Sequence, residues 1–181
     1  MDRRQAMDQF LESVERRAYS IAKMAVGHRE EALDIVQDAM LKLVQLYADK
    51  PEQEWRCLFF KILQSRIRDW YRRNKVRNRW RVWLDKLGFG EEEDEDPLAR
   101  FADQTTLEPS HDLGNERSRQ ALNNTLEKLP LRQQQAFLLR AWEGLSEEET
   151  AIVMSCSKGS VKTHYSRARE ALKYALEGYA P

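Results

Sequence analysis

Residues 145–172 read LSEEETAIVMSCSKGSVKTHYSRAREAL, and this stretch predicts a short helix, a tight turn and a longer helix. Ser146 and Glu149 have the spacing of a capping box, in which the Ser oxygen accepts an amide proton and the Glu side chain reaches back. Ser157 is the expected N-cap of the longer helix. The first helix covers only about 147–154. A short capped helix, a tight turn and a longer helix in this order predict a helix-turn-helix motif.

The longer helix has one apolar and one polar face. Its apolar side chains recur at steps of three and four, as in Val161, Tyr165 and Ala168. Small polar side chains on the other face allow approach to base edges in the major groove, and flanking cations neutralise phosphates. A solvated helical hairpin is the alternative interpretation. The candidate duplex-binding residues are Lys158, Ser160, Lys162, Thr163, Ser166 and Arg167.

The charge of the chain is separated along its length. The 181 residues carry 30 Lys and Arg against 30 Asp and Glu, a balance that by itself argues against a nucleic-acid partner. Residues 1–90, however, carry a net charge of +6, residues 91–120 carry −7 and residues 121–181 carry +1. Residues 61–86 alone hold 10 basic and 2 acidic side chains. The neutrality is therefore a cancellation between a basic and an acidic segment.

The composition and the positions of helix-breaking and acidic residues predict an all-α fold in two small domains. Seven Gly and five Pro are too few for the many turns of an all-β chain. We expect a three-helix N-terminal bundle with an extended basic helix over residues 1–87. A four-helix C-terminal domain with the helix-turn-helix follows over 115–181. Residues 88–114 read as a flexible acidic linker, because the six consecutive acids at 91–96 repel one another and do not pack.

Three apolar stripes at helical spacing predict the N-terminal helices, and Pro51 separates the second helix from the third. The stripes consist of Phe10, Val14, Ala18, Ile21 and Ala25; of Leu33, Val36, Met40, Leu43 and Tyr47; and of Phe59, Leu63, Ile67 and Trp70.

The third helix combines cations with aromatic side chains. Cations attract a phosphate backbone, and exposed aromatic rings stack on unpaired bases. For Phe59 and Trp70, which belong to the apolar stripe, a core position is the favoured interpretation. Trp55, Phe60 and Tyr71 interleave with the cations and are candidate stacking residues. The polar face contains Lys61, Ser65, Arg68, Arg72 and Lys75.

The second helix carries a polar, acidic face with one apolar residue. Such a face suits a protein partner with basic residues, although spacing alone favours an ordinary solvated surface. Its members are Asp34, Gln37, Asp38, Leu41 and Gln45.

These stretches together resemble bacterial RNA polymerase sigma factors of the extracytoplasmic-function type, in the sigma-70 family. Residues 34–42 (DIVQDAMLK), 58–62 and 69–73 resemble the second conserved region. Residues 129–137, 145–151 and 156–163 match the fourth region. Two sets of motifs in the family's order are more specific than a single helix-turn-helix.

The resemblance implies a promoter-specificity subunit with three contact surfaces. The second-helix face would dock on the β′ clamp helices of core RNA polymerase, the third helix would bind and melt the minus-ten element, and the last helix would read the minus-thirty-five element. The β flap of core polymerase and an anti-sigma factor are further implied partners. The residues that match the polymerase-binding surface are Asp34, Gln37, Asp38 and Leu41. Those that match the minus-ten surface are Lys61, Ser65, Arg68, Arg72 and Arg73. Those that match the minus-thirty-five surface are Lys162, Thr163, Ser166 and Arg167.

Two positions depart from the family pattern. Gln64-Ser65 stands where many members have Arg-Asn, and Ser155 stands in the turn where Gly is common. The basic helix also continues past Arg73 into residues 76–87, which we expect to add a phosphate contact upstream of the minus-ten element; docking of a regulatory partner is the alternative.

Other function classes find little support. No nucleophile, metal cluster or phosphate-binding loop is recognisable, so we predict no enzyme activity, no cofactor and no metal ion. A stand-alone helix-turn-helix regulator is the alternative function, and a polymerase-binding decoy is a third. Without a signal peptide or an apolar run of about 18 residues, we expect no membrane insertion and a cytoplasmic location. Cys57 and Cys156 lie far apart and are expected to be reduced.

Overall fold

The structure is a computed structural model that describes residues 2–86 and 113–177, with side chains described for 2–76 and 116–177. Within these ranges it is built of helices, which confirms the all-α prediction. The helices are α1 (Arg3–Val26), α2 (Arg29–Tyr47), α3 (Glu52–Lys86), α4 (Leu113–Lys128), α5 (Leu131–Phe137), α6 (Glu147–Met154) and α7 (Lys158–Leu176). The predicted acidic segment 91–96 lies outside the described residues.

Helices α1, α2 and α3 pack against one another as a three-helix bundle. Ile21, Leu43 and Leu63, one from each predicted stripe, are fully buried. The prediction that Leu33 belongs to the apolar stripe of α2 is wrong, because this residue is 40% exposed. The buried face of α2 instead passes through Ala32, which is fully buried.

The signals predicted at the helix ends are confirmed in the C-terminal helices. Ser146 accepts from the amide of Glu149 at 3.1 Å, and Glu149 Oε2 accepts from the amide of Ser146 at 2.7 Å. Gly144 adopts a φ of +67°, and Ser155 adopts a left-handed φ of 52°. Ser157 caps α7 by accepting from the amide of Ser160. These ends fix the angle at which α7 leaves α6.

A π-helical turn over Leu138–Trp142 continues α5. The amide of Glu143 donates to the carbonyl of Leu138, five residues earlier, at 2.9 Å. A π turn holds one more residue than an α-helical turn and often marks a functional position. Here it sets the direction of Glu143, the residue with which the turn ends.

The N-terminal helices (α1–α3) and the C-terminal helices (α4–α7) are in contact, mainly through α3 and α6. Gln64 of α3 and Gln135 of α5 are both buried and meet in a hydrogen bond of 2.8 Å between Gln135 Nε2 and Gln64 Oε1. The candidate DNA-binding helices α3 and α7 therefore belong to one packed body, since both pack against α6.

Candidate nucleic-acid interface

Helix α7 presents the predicted polar face to solvent. Val161, Ala168 and Leu172 are buried and anchor the helix on its inner side. The candidates on the outer face, Lys158, Lys162, Thr163, Ser166 and Arg167, are exposed. Ser160 is half-buried, and its amide donates to Ser157 Oγ at 3.1 Å, so it belongs to the helix cap.

The two lysines of this face are paired with acids of α6. Lys158 Nζ lies 2.6 Å from Glu148 Oε1, and Lys162 Nζ lies 3.6 Å from Glu147 Oε2. The hydrogen bond between Lys158 and Glu148 lowers the pKa of Glu148 and raises the pKa of Lys158. Exposed ion pairs of this kind are weak. A phosphate group of DNA can therefore replace these carboxylates.

Helix α3 presents some of its candidate residues and covers others. Lys61, Arg72 and Arg73 are exposed, whereas Ser65 and Arg68 are half-buried. Arg72 pairs with Asp69, one turn away on the same helix. Lys61 and Arg73 are candidate contacts to a phosphate backbone, because both are exposed to solvent.

Arg68 faces the C-terminal helices. Its Nη1 atom donates to the carbonyl of Met154 at 3.0 Å, and Arg132 Nη1 donates to the same carbonyl at 2.8 Å. Burial, and secondly the charge of Arg132, lower the pKa of Arg68. The guanidinium remains charged at neutral pH, because arginine is not deprotonated in proteins.

The prediction that Trp55 and Phe60 are stacking residues is wrong. Trp55 is 1% exposed and Phe60 is fully buried, as is Phe59. Helix α3 packs against α1, α2 and α6, and the side chains of Trp55 and Phe60 lie in the core, where they cannot stack on bases. Tyr71 is partly exposed, and its hydroxyl donates to the carbonyl of Ala25 at 2.6 Å.

Helix α2 carries the predicted partner face in exposed positions. Asp34, Gln37, Asp38 and Leu41 are all exposed, and Leu41 is 55% exposed. The structure adds Val44, which is 40% exposed and lies one turn beyond Leu41. Carboxylates beside exposed aliphatic side chains suit a partner helix that is both basic and apolar. The sequence signal for Val44 was its place at i+3 from Leu41.

An apolar groove lies between α4, α5 and α7. Leu122, Phe137, Leu172 and Leu176 are among the residues that line it. The ring of Tyr165 stacks on Phe137 with centroids 6.1 Å apart. Arg140 and Arg169 each lie within 6 Å of the Tyr165 ring centroid, at 5.7 and 5.8 Å. These cation–π contacts fix the groove's rim beside the outer face of α7.

A buried carboxylate at the contact between the two sets of helices was missed by the sequence analysis. The side chain of Glu143 is fully buried, with Oε1 3.6 Å from Arg17 Nε and Oε2 3.5 Å from Arg56 Nη2. Arg56 also donates to the backbone carbonyl of Glu143. Burial raises the pKa of Glu143, and the two arginines act in the opposite direction. An acidic residue followed by glycine, as at Glu143 and Gly144, is usually interpreted as a surface position. The sequence therefore gave no indication that Glu143 is buried.

Within the described ranges, no set of three or more His, Cys, Asp and Glu side chains is grouped as a metal site would require. Both cysteines are free thiols there. No helix in these same ranges has the length and hydropathy needed to cross a membrane.

Two family models match the chain. The model described as "Sigma-70 region 2" matches residues 10–77, and "Sigma-70, region 4" matches residues 119–172. Together they span more than half of the chain, in the order expected. The chain belongs to the sigma-70 family. Helices α1–α3 accordingly carry region 2 of a sigma-70 protein, and α4–α7 carry region 4, as the sequence motifs predicted.

The chain is similar to curated RNA polymerase sigma factors, among them factors named as ECF. It is 41% identical over 64 residues to the ECF RNA polymerase sigma-E factor of Escherichia coli, which is 35% of this chain and 34% of that protein. It is 43% identical over 56 residues to the RNA polymerase sigma-H factor of Pseudomonas aeruginosa, which is 31% of this chain and 29% of that protein. The chain thus spans about a third of the length of the curated relatives that it matches.

A solved structure covers both regions of this sigma-70 chain. It is described as the sigma factor RpoE in complex with the anti-sigma factor NepR from Bartonella quintana. The two share 25% sequence identity at a TM-score of 0.65, over 94% of this chain and 96% of the other.

Proposed function

We propose that this chain is a sigma factor of the extracytoplasmic-function type, which binds core RNA polymerase and directs promoter-specific initiation. The observation that carries the proposal is the presence of region 2 and region 4 on one chain, each with a charged face exposed to solvent. The chain would act as a specificity subunit rather than as a catalyst. Its place of action would be the cytoplasm, where core polymerase transcribes.

The α2 face is the proposed contact with the β′ clamp helices of core polymerase. Asp34, Gln37, Asp38 and Leu41 are exposed along one side of the helix. Acidic groups speed the encounter with a basic partner, and the exposed aliphatic side chains supply apolar area once the surfaces meet. Polymerase would bind this face while α3 and α7 bind the promoter.

Promoter recognition is proposed for α3 and α7. The exposed cations of α3, with Ser65 and Arg68 beside them, would hold and melt the minus-ten element. The outer face of α7 would enter the major groove of the minus-thirty-five element, since Thr163 and Ser166 are small enough for close approach to bases. Lys162 and Arg167 would supply the adjacent charge.

Two further partners complete the proposal. The apolar groove between α4, α5 and α7 has the shape and chemistry to take an apolar segment of the β flap. An anti-sigma factor is proposed because the structurally similar RpoE was solved with the anti-sigma factor NepR.

We assign region 2 to residues 1–87, the linker to 88–114 and region 4 to 115–181. The described helices α3 and α4 support the assignment, since one ends at Lys86 and the other begins at Leu113.

The test uses a bacterial core RNA polymerase freed of its own sigma factors, mixed with this chain and a genomic promoter library. Transcripts with defined start sites are expected only when the chain is present. The Asp38→Arg variant is the matched control, because it keeps region 4 intact but reverses a charge on the proposed polymerase face. A stand-alone regulator, the second candidate, would bind duplex DNA without core polymerase and yield no such transcripts. That outcome would refute the proposal.

A further inference from the structure

A cluster of cationic side chains surrounds the carbonyl end of α6. Arg68 Nη1 and Arg132 Nη1 both donate to the Met154 carbonyl, at 3.0 and 2.8 Å, so their guanidinium groups are neighbours. Arg132 is also close enough to His164 of α7 to lower the pKa of its imidazole, and Arg167 of the same helix acts in the same direction. The cluster therefore consists of three arginines and one histidine.

The arginines of this cluster have no carboxylate partner. Among the described residues, Arg68, Arg132 and Arg167 form no ion pair. Asp69, which follows Arg68 in the chain, pairs with Arg72 instead. Like charges gathered in a partly buried place repel one another, and an anion bound among them would relieve this repulsion.

The same side chains have hydrogen-bond donors to spare. A guanidinium has five N–H donors in a planar fork, whereas the bonds of Arg68 and Arg132 to other described residues use Nη1 alone. His164 Nδ1 is buried and has no hydrogen-bond partner within the described ranges. A buried polar atom in this state calls for an explanation, and a ligand that brings acceptor oxygens supplies one.

A terminal phosphate group matches these donors in charge and in number. It carries a charge of about −1.5 to −2 at neutral pH and three strong acceptor oxygens. A phosphate within a DNA strand has a single negative charge and is esterified on both sides, so it offers less of each. Because Arg68, Arg132 and His164 are only half-exposed, the place suits a small anion better than a duplex.

We propose that Arg68, Arg132, His164 and Arg167 form a binding site for a small anion with a terminal phosphate group. Arg132 is the central member, because it neighbours both Arg68 and His164 and is not one of the proposed promoter contacts. The site itself does not depend on the proposed function. Its effect does rest on that function: the anion would occupy Arg68 and Arg167, and would therefore compete with promoter DNA.

Isothermal titration calorimetry of the full-length chain with inorganic pyrophosphate tests the site. Arg132→Gln is expected to weaken pyrophosphate binding about tenfold, the usual loss for a hydrogen bond between charged groups. Arg117→Gln is the matched control, because it removes the same charge at an exposed position of α4 and should bind as the wild type does. His164→Gln keeps all three arginines and is expected to weaken binding about threefold, so the site is tested even if Arg132→Gln does not fold.

NMR titration of the His164 imidazole gives a second readout. The charged groups that act on this ring are Arg132 of α5 and Arg167 of α7, and both lower its pKa. Bound pyrophosphate adds negative charge there, so it is expected to raise the pKa of His164. The His164→Gln variant identifies the signal, and His28, the exposed residue before α2, should titrate unchanged.

Three results would overturn the proposal. The first is equal pyrophosphate binding by Arg132→Gln and Arg117→Gln, which would indicate a general attraction of anions. The second is a pKa of His164 that saturating pyrophosphate leaves unmoved. The third is weaker duplex binding by Arg132→Gln with unchanged pyrophosphate binding, which would make the cluster a contact for the DNA backbone. None of these readouts uses polymerase or a promoter, so failure of the proposed function would be seen separately, in the transcription test.

Discussion

Gln135 of region 4 donates its side-chain amide to Gln64 Oε1 of region 2 at 2.8 Å, and both residues are almost wholly enclosed. This hydrogen bond stands at the departure from the family pattern, since Gln64 occupies a position where many sigma factors carry arginine. Gln64 thus contributes a contact within the chain.

Removing one partner of this pair is expected to be costly. Gln135→Ala leaves the buried amide of Gln64 without a partner, which should lower the free energy of unfolding by about 1–3 kcal/mol. Urea unfolding followed by circular dichroism measures the change. The double variant Gln64→Leu with Gln135→Leu replaces both polar groups and should lose much less. Equal losses in the single and double variants would show that the hydrogen bond itself contributes little.

The outer face of α7 should determine duplex binding. Lys162→Ala and Arg167→Ala are each expected to weaken binding to the minus-thirty-five element by about 1–3 kcal/mol for a lost base contact, or to reduce the salt slope by about one for a lost phosphate contact. Fluorescence anisotropy over a range of salt concentrations separates the two cases. Lys173→Ala, an exposed lysine at the apolar groove of the same helix, is the control and should bind as the wild type does.

Core binding should depend on α2. Asp38→Arg is expected to weaken the affinity for core polymerase at least tenfold, because it turns an attractive charge into a repulsive one at a basic partner. Duplex binding by region 4 should be unchanged. Glu12→Arg, on the exposed side of α1, controls for the change in net charge. Loss of duplex binding with intact core binding would reverse the assignment of the two regions.

The capping box at the start of α6 is expected to stabilise region 4. Ser146→Ala removes the acceptor for the Glu149 amide and should lower the free energy of unfolding by about 1 kcal/mol. Ser146→Asp keeps an acceptor at the same place and should behave nearly as the wild type. A thermal melt of the three chains under one buffer condition gives the comparison. Similar losses for Ala and Asp would point to packing rather than capping.

His164 of α7 should make stability depend on pH. Burial, and then the charges of Arg132 and Arg167, lower its pKa below the ordinary 6.5. The unfolded chain therefore takes up a proton more readily, so this contribution to stability is present above pH 6.5 and is lost as the pH falls toward the lowered value. Lowering the pH from about 7 to about 5.5 should reduce the free energy of unfolding of the wild type more than that of His164→Gln. Unfolding experiments at several pH values in this range measure the difference. Parallel pH profiles would contradict the assignment.

Local signals were readable from the sequence, and long-range packing was not. The capping box of Ser146 and Glu149 and the cap at Ser157 depend on hydrogen bonds within a few residues, so they were predicted correctly. Trp55 and Phe60 were misjudged because periodicity gives the faces of one helix and does not tell how many neighbours enclose it. Leu33 was misplaced for a related reason, since Ala32 and Leu33 are adjacent and only the packing of α2 against α1 and α3 decides which of them is buried.

The contact that Glu143 makes between the two regions depends on the number of residues in the π turn over Leu138–Trp142. An α-helix advances about 100° per residue, so deleting one residue from this turn to restore regular α-helix would rotate Glu143 by about that angle, away from Arg17 and Arg56. The amino acid at position 143 would be unchanged, yet its carboxylate would point elsewhere. The extra residue of the turn thus acts as a spacer, and relatives that lack it are expected to hold their two regions together by other contacts or not at all.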